Sequence, residues 1–383
     1  MTTALRGLTW DHPRGYVVLD ALAADAGDEL PSVRWDRQPL EGFESRPLRT
    51  LRDAYDLLIV DHPGLGEAVR DGALRPLDEL LSAAELAACA AVSAGRSYAS
   101  YRLDDRQWAL PADAAAQVAV CRTDLLGERP STWADACRVA RAHRTALCLG
   151  GPHALLMFSA ICVSLGAPPA STPPDNTGTF ADPEAGAEAA AVMADLLAHA
   201  DPALAARNPI AVLDAMAADG GPAYCPLVYG YITYQRPRPG ARALAAFDAP
   251  AGPGGIGSVL GGTGIAVTRS CTRLSAAREL LLRVVSQDVQ VRRYAELGGQ
   301  SADRRAWLDP AADASAGGFY AATRATIEAA WVRPRFAGYV EFQAAASAAL
   351  RDGLLGGEPP AALAARVNDI FAAQRATGDR AAG

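Results

Sequence analysis

Lysine is missing from this sequence: all 36 basic residues among its 383 are arginine. Without an ε-amino group there is no Walker-type phosphate loop, no Schiff base to a carbonyl substrate or to pyridoxal phosphate, and no lysine general base. A GC-rich genome explains the bias, and the chemical exclusions hold whatever its origin. Cysteine is present without pattern. The seven, at 89, 121, 137, 148, 162, 225 and 271, show no Cys-x-x-Cys spacing and lie in apolar or helical stretches. That fits inert core thiols in a reducing compartment, not a disulfide framework, and no metal is expected.

Long apolar runs are missing as well, and none approaches the roughly 18 residues that span a bilayer. The opening Met-Thr-Thr-Ala-Leu-Arg-Gly carries no charged region followed by an apolar export core. The expectation is a cytoplasmic protein, periplasmic or extracellular only if a leader has been removed. No long basic run appears either, and a net charge of -7 with a pI near 5.3 argues against a nucleic-acid partner.

What is present is a large apolar fraction, 50 % of residues, on a chain long enough for two lobes. The stretch Trp10-Asp11-His12-Pro13-Arg14-Gly15-Tyr16 follows the apolar run at Leu5–Trp10, and Asp61-His62-Pro63 follows a second at Asp56–Val60. Two strand ends thus carry one acid/imidazole pair each. In an open α/β sheet, ligands bind in the crevice at the carboxyl ends of parallel strands, so the repetition points to a cleft. Each Asp-His-Pro also suits a plain strand-to-loop turn, with Asp bonding its own backbone and Pro ending the ladder.

Strand, helix, strand, helix, strand within about 70 residues implies parallel strands with crossover helices. Extended text at 116–121 marks a first crossing between lobes. Ala146–Leu149 is a predicted strand, 153–165 an apolar helix, 166–178 a Pro/Thr/Asn-rich loop, and Asp182-Pro183 caps a long helix to about His199. Residues 224–234 hold four tyrosines in a chain otherwise poor in aromatics. They suit either half-buried strand positions or a ring-lined ligand wall. Seven glycines in 252–264 precede a strand instead of following one, which rejects a dinucleotide fingerprint and leaves a turn whose backbone approaches a ligand near Gly262. Residues 275–297 have the pattern of one amphipathic helix, and three more helices close the chain.

The stretches Tyr55–Asp61, Gly72–Asp78, Trp108–Asp113, Pro130–Trp133, Gly261–Val267 and Trp331–Pro334 resemble, in order, those of the bacterial extracellular solute-binding class. This is the two-lobed type associated with sugar and oligosaccharide ABC importers. The resemblance implies an α/β fold of the type II periplasmic-binding kind, each lobe a mostly parallel sheet flanked by helices, closing on a small molecule. The expected lobes are 1–112 with 262–312, and 113–261 with 313–383. ABC transporter subunits are partners only if the protein is exported.

Two uses of the cleft follow. As a binding module, Trp10, Tyr16, Tyr224, Tyr229 and Tyr231 stack on or flank a solute of mixed polarity, while Asp11, Arg14, Asp61, Asp113 and Gln117 fix its polar groups. Gly262 offers backbone, His12 and His62 flank the site, and Arg304 is placed to grip a carboxylate or to sit in solvent. As a cofactor-free enzyme, His12 or His62 serves as general base beside Asp11 or Asp61, for an elimination, isomerisation or cyclisation. His153, after Gly150-Gly151-Pro152, faces the cleft or the core. No cofactor is expected in either case.

Overall fold

A computed structural model describes residues 4–25, 31–170, 179–236 and 238–381. Most of the loop expected at 166–178 lies outside these residues.

The first lobe begins β1 (Leu5–Trp10), α1 (Pro13–Ala24), β2 (Val33–Gln38), α2 (Leu40–Ser45), β3 (Leu57–Val60) and α3 (Leu65–Arg70). β1 pairs in parallel with β2 on one side and β3 on the other, with Gly7 opposite Leu57 and Trp35. All four residues of β3 are buried because helices cover both faces of the sheet. Parallel alignment places Trp10 and Asp61, the last residue of β1 and the first after β3, on the same sheet edge.

β4 (Leu110–Cys121) is buried along all twelve residues and carries the chain from one lobe to the other. Its first half pairs antiparallel with the returning strand at Leu260–Thr268, and its second half with strands at Tyr224–Tyr229 and Ala245–Phe247. We number these three β5 (Tyr224–Tyr229), β6 (Ala245–Phe247) and β7 (Leu260–Thr268). The strand order is β2-β1-β3-β7-β4-β5, with β6 on β4, so the sheet is mixed: parallel at the first three strands and antiparallel where it passes between lobes.

The second lobe packs α4 (His153–Ser164) and α5 (Pro183–Leu197) beneath the closing helices α8 (Tyr339–Leu355) and α9 (Pro360–Ala381). α6 (Leu274–Val284) belongs to the first lobe's core with Leu57 and Leu77, and α7 (Phe319–Ala329) packs on β4 and β6. α4 is apolar all round, with eleven of twelve residues buried, and forms the axis of that lobe's core. Asp182 caps α5 by accepting from Ala185 N, as its sequence predicts.

Two expected elements differ. Ala146–Leu149 is no strand; it is flanked by isolated bridges from Thr145 to Tyr224 and to Ala200, and held by lone backbone bonds such as Ala146 N to the Tyr224 carbonyl. The helix expected over 275–297 stops at Val284 and resumes as a π-turn at Asp288–Arg293. The buried Gln290 side chain donates to the carbonyl of Val284, a bond that a continuing helix would supply from its own backbone.

Candidate functional site

The cleft is assembled from the carboxyl ends of β1 and β3 with α2 on one lobe. From the other come the end of β5, the start of α4 and the segment leading into α8. β1 delivers Trp10, only 3 % exposed. Its ring lies 5.9 Å from Phe43 of α2 and 6.2 Å from Tyr231, forming an aromatic wall drawn from three segments. Tyr229 stands opposite, its hydroxyl donating to the Leu260 carbonyl at 3.3 Å. Gly262 backs this wall with a φ of +98°, and a Cβ there would sit 2.4 Å from the Asp113 carbonyl oxygen. Only glycine fits.

Asp61 and Arg333 close the polar side. Arg333 donates from one nitrogen to both Asp61 oxygens, at 2.9 and 2.8 Å, and reaches Gln343 Oε1 at 3.3 Å with the other. The pair ties the two lobes together across 272 residues of sequence. Burial works to raise the Asp61 pKa, but the Arg333 charge outweighs it and holds the carboxylate down to about 2. Behind it, Arg14 is clamped by Asp113 through bonds of 2.9 and 2.5 Å and donates to the Gly230 carbonyl at 3.2 Å. The Arg14 guanidinium also lies over the Tyr231 ring at 4.9 Å.

Glu44 of α2 lines the same cleft, between Asp61 and α4, with its side chain 24 % exposed. His153 approaches it, with Nε2 4.0 Å from a Glu44 carboxyl oxygen. Burial, and then the Asp61 charge, push the Glu44 carboxyl up to about 8, against the pull of Arg333. His153 is almost fully buried, its Nε2 has no hydrogen-bond partner, and burial followed by the Arg333 charge lowers it to about 3.

The structure distributes the residues singled out from sequence unevenly. Trp10, Arg14, Asp61, Tyr229, Tyr231 and Gly262 line the cleft. Asp113 and Gln117 are buried in β4 behind it, the first holding Arg14. Asp11 is exposed, 3.9 Å from Arg37, and Tyr16 lies beneath the same Arg37 guanidinium at 3.5 Å. Tyr224 is buried against Phe247 in the core of the second lobe, because its place at the start of β5 puts it far along the strand from Tyr229. Arg304 is exposed at the head of a short helix.

Neither histidine of the repeated tripeptide borders the cleft hollows. His12 caps α1: its Nδ1 accepts from Arg14 N at 3.1 Å, and its ring stacks on Trp10 at 5.1 Å. Burial, with the charges of Arg14 and Arg238, lowers its pKa to about 3. His62 is fully enclosed, edge-on to Tyr101 at 6.1 Å, and burial together with Arg333 lowers it to about 4. Sequence reasoning missed Phe43, Glu44, Gln343 and the role of Arg333. The Trp331-Val332-Arg333-Pro334 run was visible, and only its pairing with Asp61 was not. Among the described residues no group of three metal-ligating side chains stands together, and no helix is long and apolar enough to cross a membrane.

Solved structures share this architecture over nearly the whole chain. An ABC transporter solute-binding protein from Agrobacterium radiobacter K84, in complex with ribitol, superposes with a TM-score of 0.80 at 19% identity, covering 96% of this chain and 97% of that one. The GacH receptor of Streptomyces glaucescens, solved unliganded and with acarbose, gives 0.78 at 18% identity, with 98% of each chain covered. A solute-binding protein from Agrobacterium vitis S4 with bound D-mannitol gives 0.77 at 15% identity over 98% of each. No protein-family model and no curated protein matches the chain. The fold is therefore that of the type II periplasmic binding proteins. More particularly, it is similar to the sugar- and polyol-type solute-binding proteins of ABC transporters.

Proposed function

We propose that this protein binds a small polyhydroxylated solute between its lobes. The observation that carries the reading is the composition of the cleft. Aromatic faces of Trp10, Phe43, Tyr229 and Tyr231 surround the polar groups of Asp61, Glu44 and Arg333. Rings that cover C–H faces beside groups that accept and donate hydrogen bonds suit a polyol or sugar. The ribitol and D-mannitol held by the two Agrobacterium proteins support the same solute class.

The lobe division at 1–112 with 262–312 and 113–261 with 313–383 belongs to this proposal, as does a cytoplasmic setting. Partnership with ABC transporter subunits belongs to an exported form, and fractionation of the native host decides between the two settings. An acid-base enzyme using His12 or His62 has less support. Imidazoles with pKa values of about 3 and about 4 are weak proton acceptors at neutral pH, and neither borders the cleft.

Calorimetric titration with ribitol, D-mannitol, D-glucitol and maltose tests the reading. Saturable one-to-one binding by at least one of them is expected, weakened at least about tenfold in Trp10→Ala because a stacked ring contributes a kilocalorie or more. Absence of binding across the panel contradicts it.

A further inference from the structure

We propose that the solute carries a basic amine beside its hydroxyl groups, and that Glu44 together with His153 receives that amine in the cleft. The proposal rests on the solute-binding reading above and names the chemical class of its ligand.

The other buried charges of the cleft already have their counter-charges, and the one cation described there without a carboxylate partner, Arg46, lies at its exposed rim. Asp61 is held by both of its oxygens on Arg333, and Arg14 is held by Asp113. Glu44 is the carboxyl left over. The groups facing it are Glu41 from its own helix, Asp61 and Arg333 on the cleft wall, and His153 from α4. No hydrogen bond or ion pair to a cation is described for it, and its one close approach is to the neutral His153 ring at 4.0 Å.

His153 supplies a second, independent sign. Its ring is 1 % exposed and Nε2 is buried without a partner, although it is directed at Glu44. A buried unpartnered nitrogen is costly and needs a reason. With Nδ1 protonated, Nε2 and the Glu44 oxygen form two acceptors 4.0 Å apart. One ligand nitrogen placed about 2.9 Å from each donates to both, which a hydroxyl with its single proton cannot do toward an ionised carboxylate. Tyr229, edge-on to His153 at 5.8 Å, adds an aromatic face beside the cation.

The proton balance follows. Without ligand the Glu44 carboxyl, raised to about 8, keeps its proton at neutral pH. An ammonium group drives it to the carboxylate, and that proton passes to the buffer. A neutral polyol leaves it in place.

The test uses matched pairs: ribitol, D-mannitol and D-glucitol, each against the derivative with one terminal hydroxyl replaced by an amino group. Titrations run at neutral pH in two buffers of different ionisation enthalpy. In at least one pair the amine is expected to bind at least about tenfold tighter than the alcohol and to release about one proton. Glu44→Gln should remove both the preference and the proton release, with a melting temperature no lower than that of the wild type serving as the folding control. Equal or tighter binding of the alcohol in every pair overturns the proposal and leaves the solute-binding reading standing. So does an amine preference that survives in Glu44→Gln. If no member of any pair binds, the polyol reading fails and this inference with it.

Discussion

Four side chains in and around the cleft hold protonation states displaced from their solution values, and together they make folding stability depend on pH between about 5 and 8. His12, His62 and His153 fall from 6.5 to about 3, about 4 and about 3, so the folded chain keeps them neutral where the unfolded chain charges them. Their contribution is complete above pH 6.5 and is lost as pH falls below it. Glu44 moves the other way, from 4.5 to about 8, so its contribution is complete below 4.5 and is lost as pH rises through 8. Between those limits the unfolded state takes up three protons while the folded state holds one that the unfolded state lacks. Stability should therefore fall by roughly 2–3 kcal/mol per pH unit on acidification below about pH 6, and by about 1 kcal/mol per unit on approaching pH 8, with its maximum between about pH 6 and 7. Urea unfolding at about pH 5, 6.5 and 8.5 checks this; a stability that holds level or rises from 6.5 to 5 contradicts the buried neutral histidines. At this scale the sequence was only half legible. The repeated Asp-His-Pro marks two ends on one sheet edge, but each residue's task depends on neighbours far along the chain. His12 serves as a helix cap, Asp61 answers to Arg333, and Asp11 meets only Arg37 and solvent.

At the scale of elements, α3 meets the segment leading into α8 backbone on backbone. Gly66 of α3 lies against the segment Arg335–Ala337, where a Cβ would meet the Arg335 carbonyl oxygen at 1.9 Å. That segment follows directly on Arg333, so the same contact that seats α3 also sets the ion pair to Asp61. Gly66→Ala should cost about 1–3 kcal/mol of stability through overpacking and should also weaken solute binding, because the strand of chain carrying Arg333 must shift. A melting temperature and titration both unchanged from wild type would show that α3 is not what fixes this segment. Most elements were readable because each depends on its own residues: the apolar runs of β1 and β3, the all-apolar α4, and the Asp-Pro start of α5. The break at Val284 was not, since the pattern over 275–297 is continuous. What interrupts it is the Gln290 side chain, which also donates to the Ala112 carbonyl in β4 and accepts from Ser301 and Ala302.

At the scale of the whole molecule, one sheet passes between two lobes through β4, and the cleft beside that passage is crossed by the Asp61–Arg333 pair and ringed by aromatic residues from both sides. The alternation of strands and helices in the first 70 residues, and the later return to strand at Leu260–Thr268, made this plan legible. The inner wall of the cleft was less so, because Glu44, Tyr229 and Arg333 come from three segments whose meeting only the closed chain defines. The task proposed for this fold is to hold a small molecule between its lobes. Native mass spectrometry of the protein purified from its own host measures that directly. The account predicts a mass excess of one small, polyhydroxylated molecule per chain, released on denaturation and lost when Asp61→Ala removes the link to Arg333. A protein that arrives at its bare mass and gains none on incubation with polyols, sugars or their amino derivatives would contradict it.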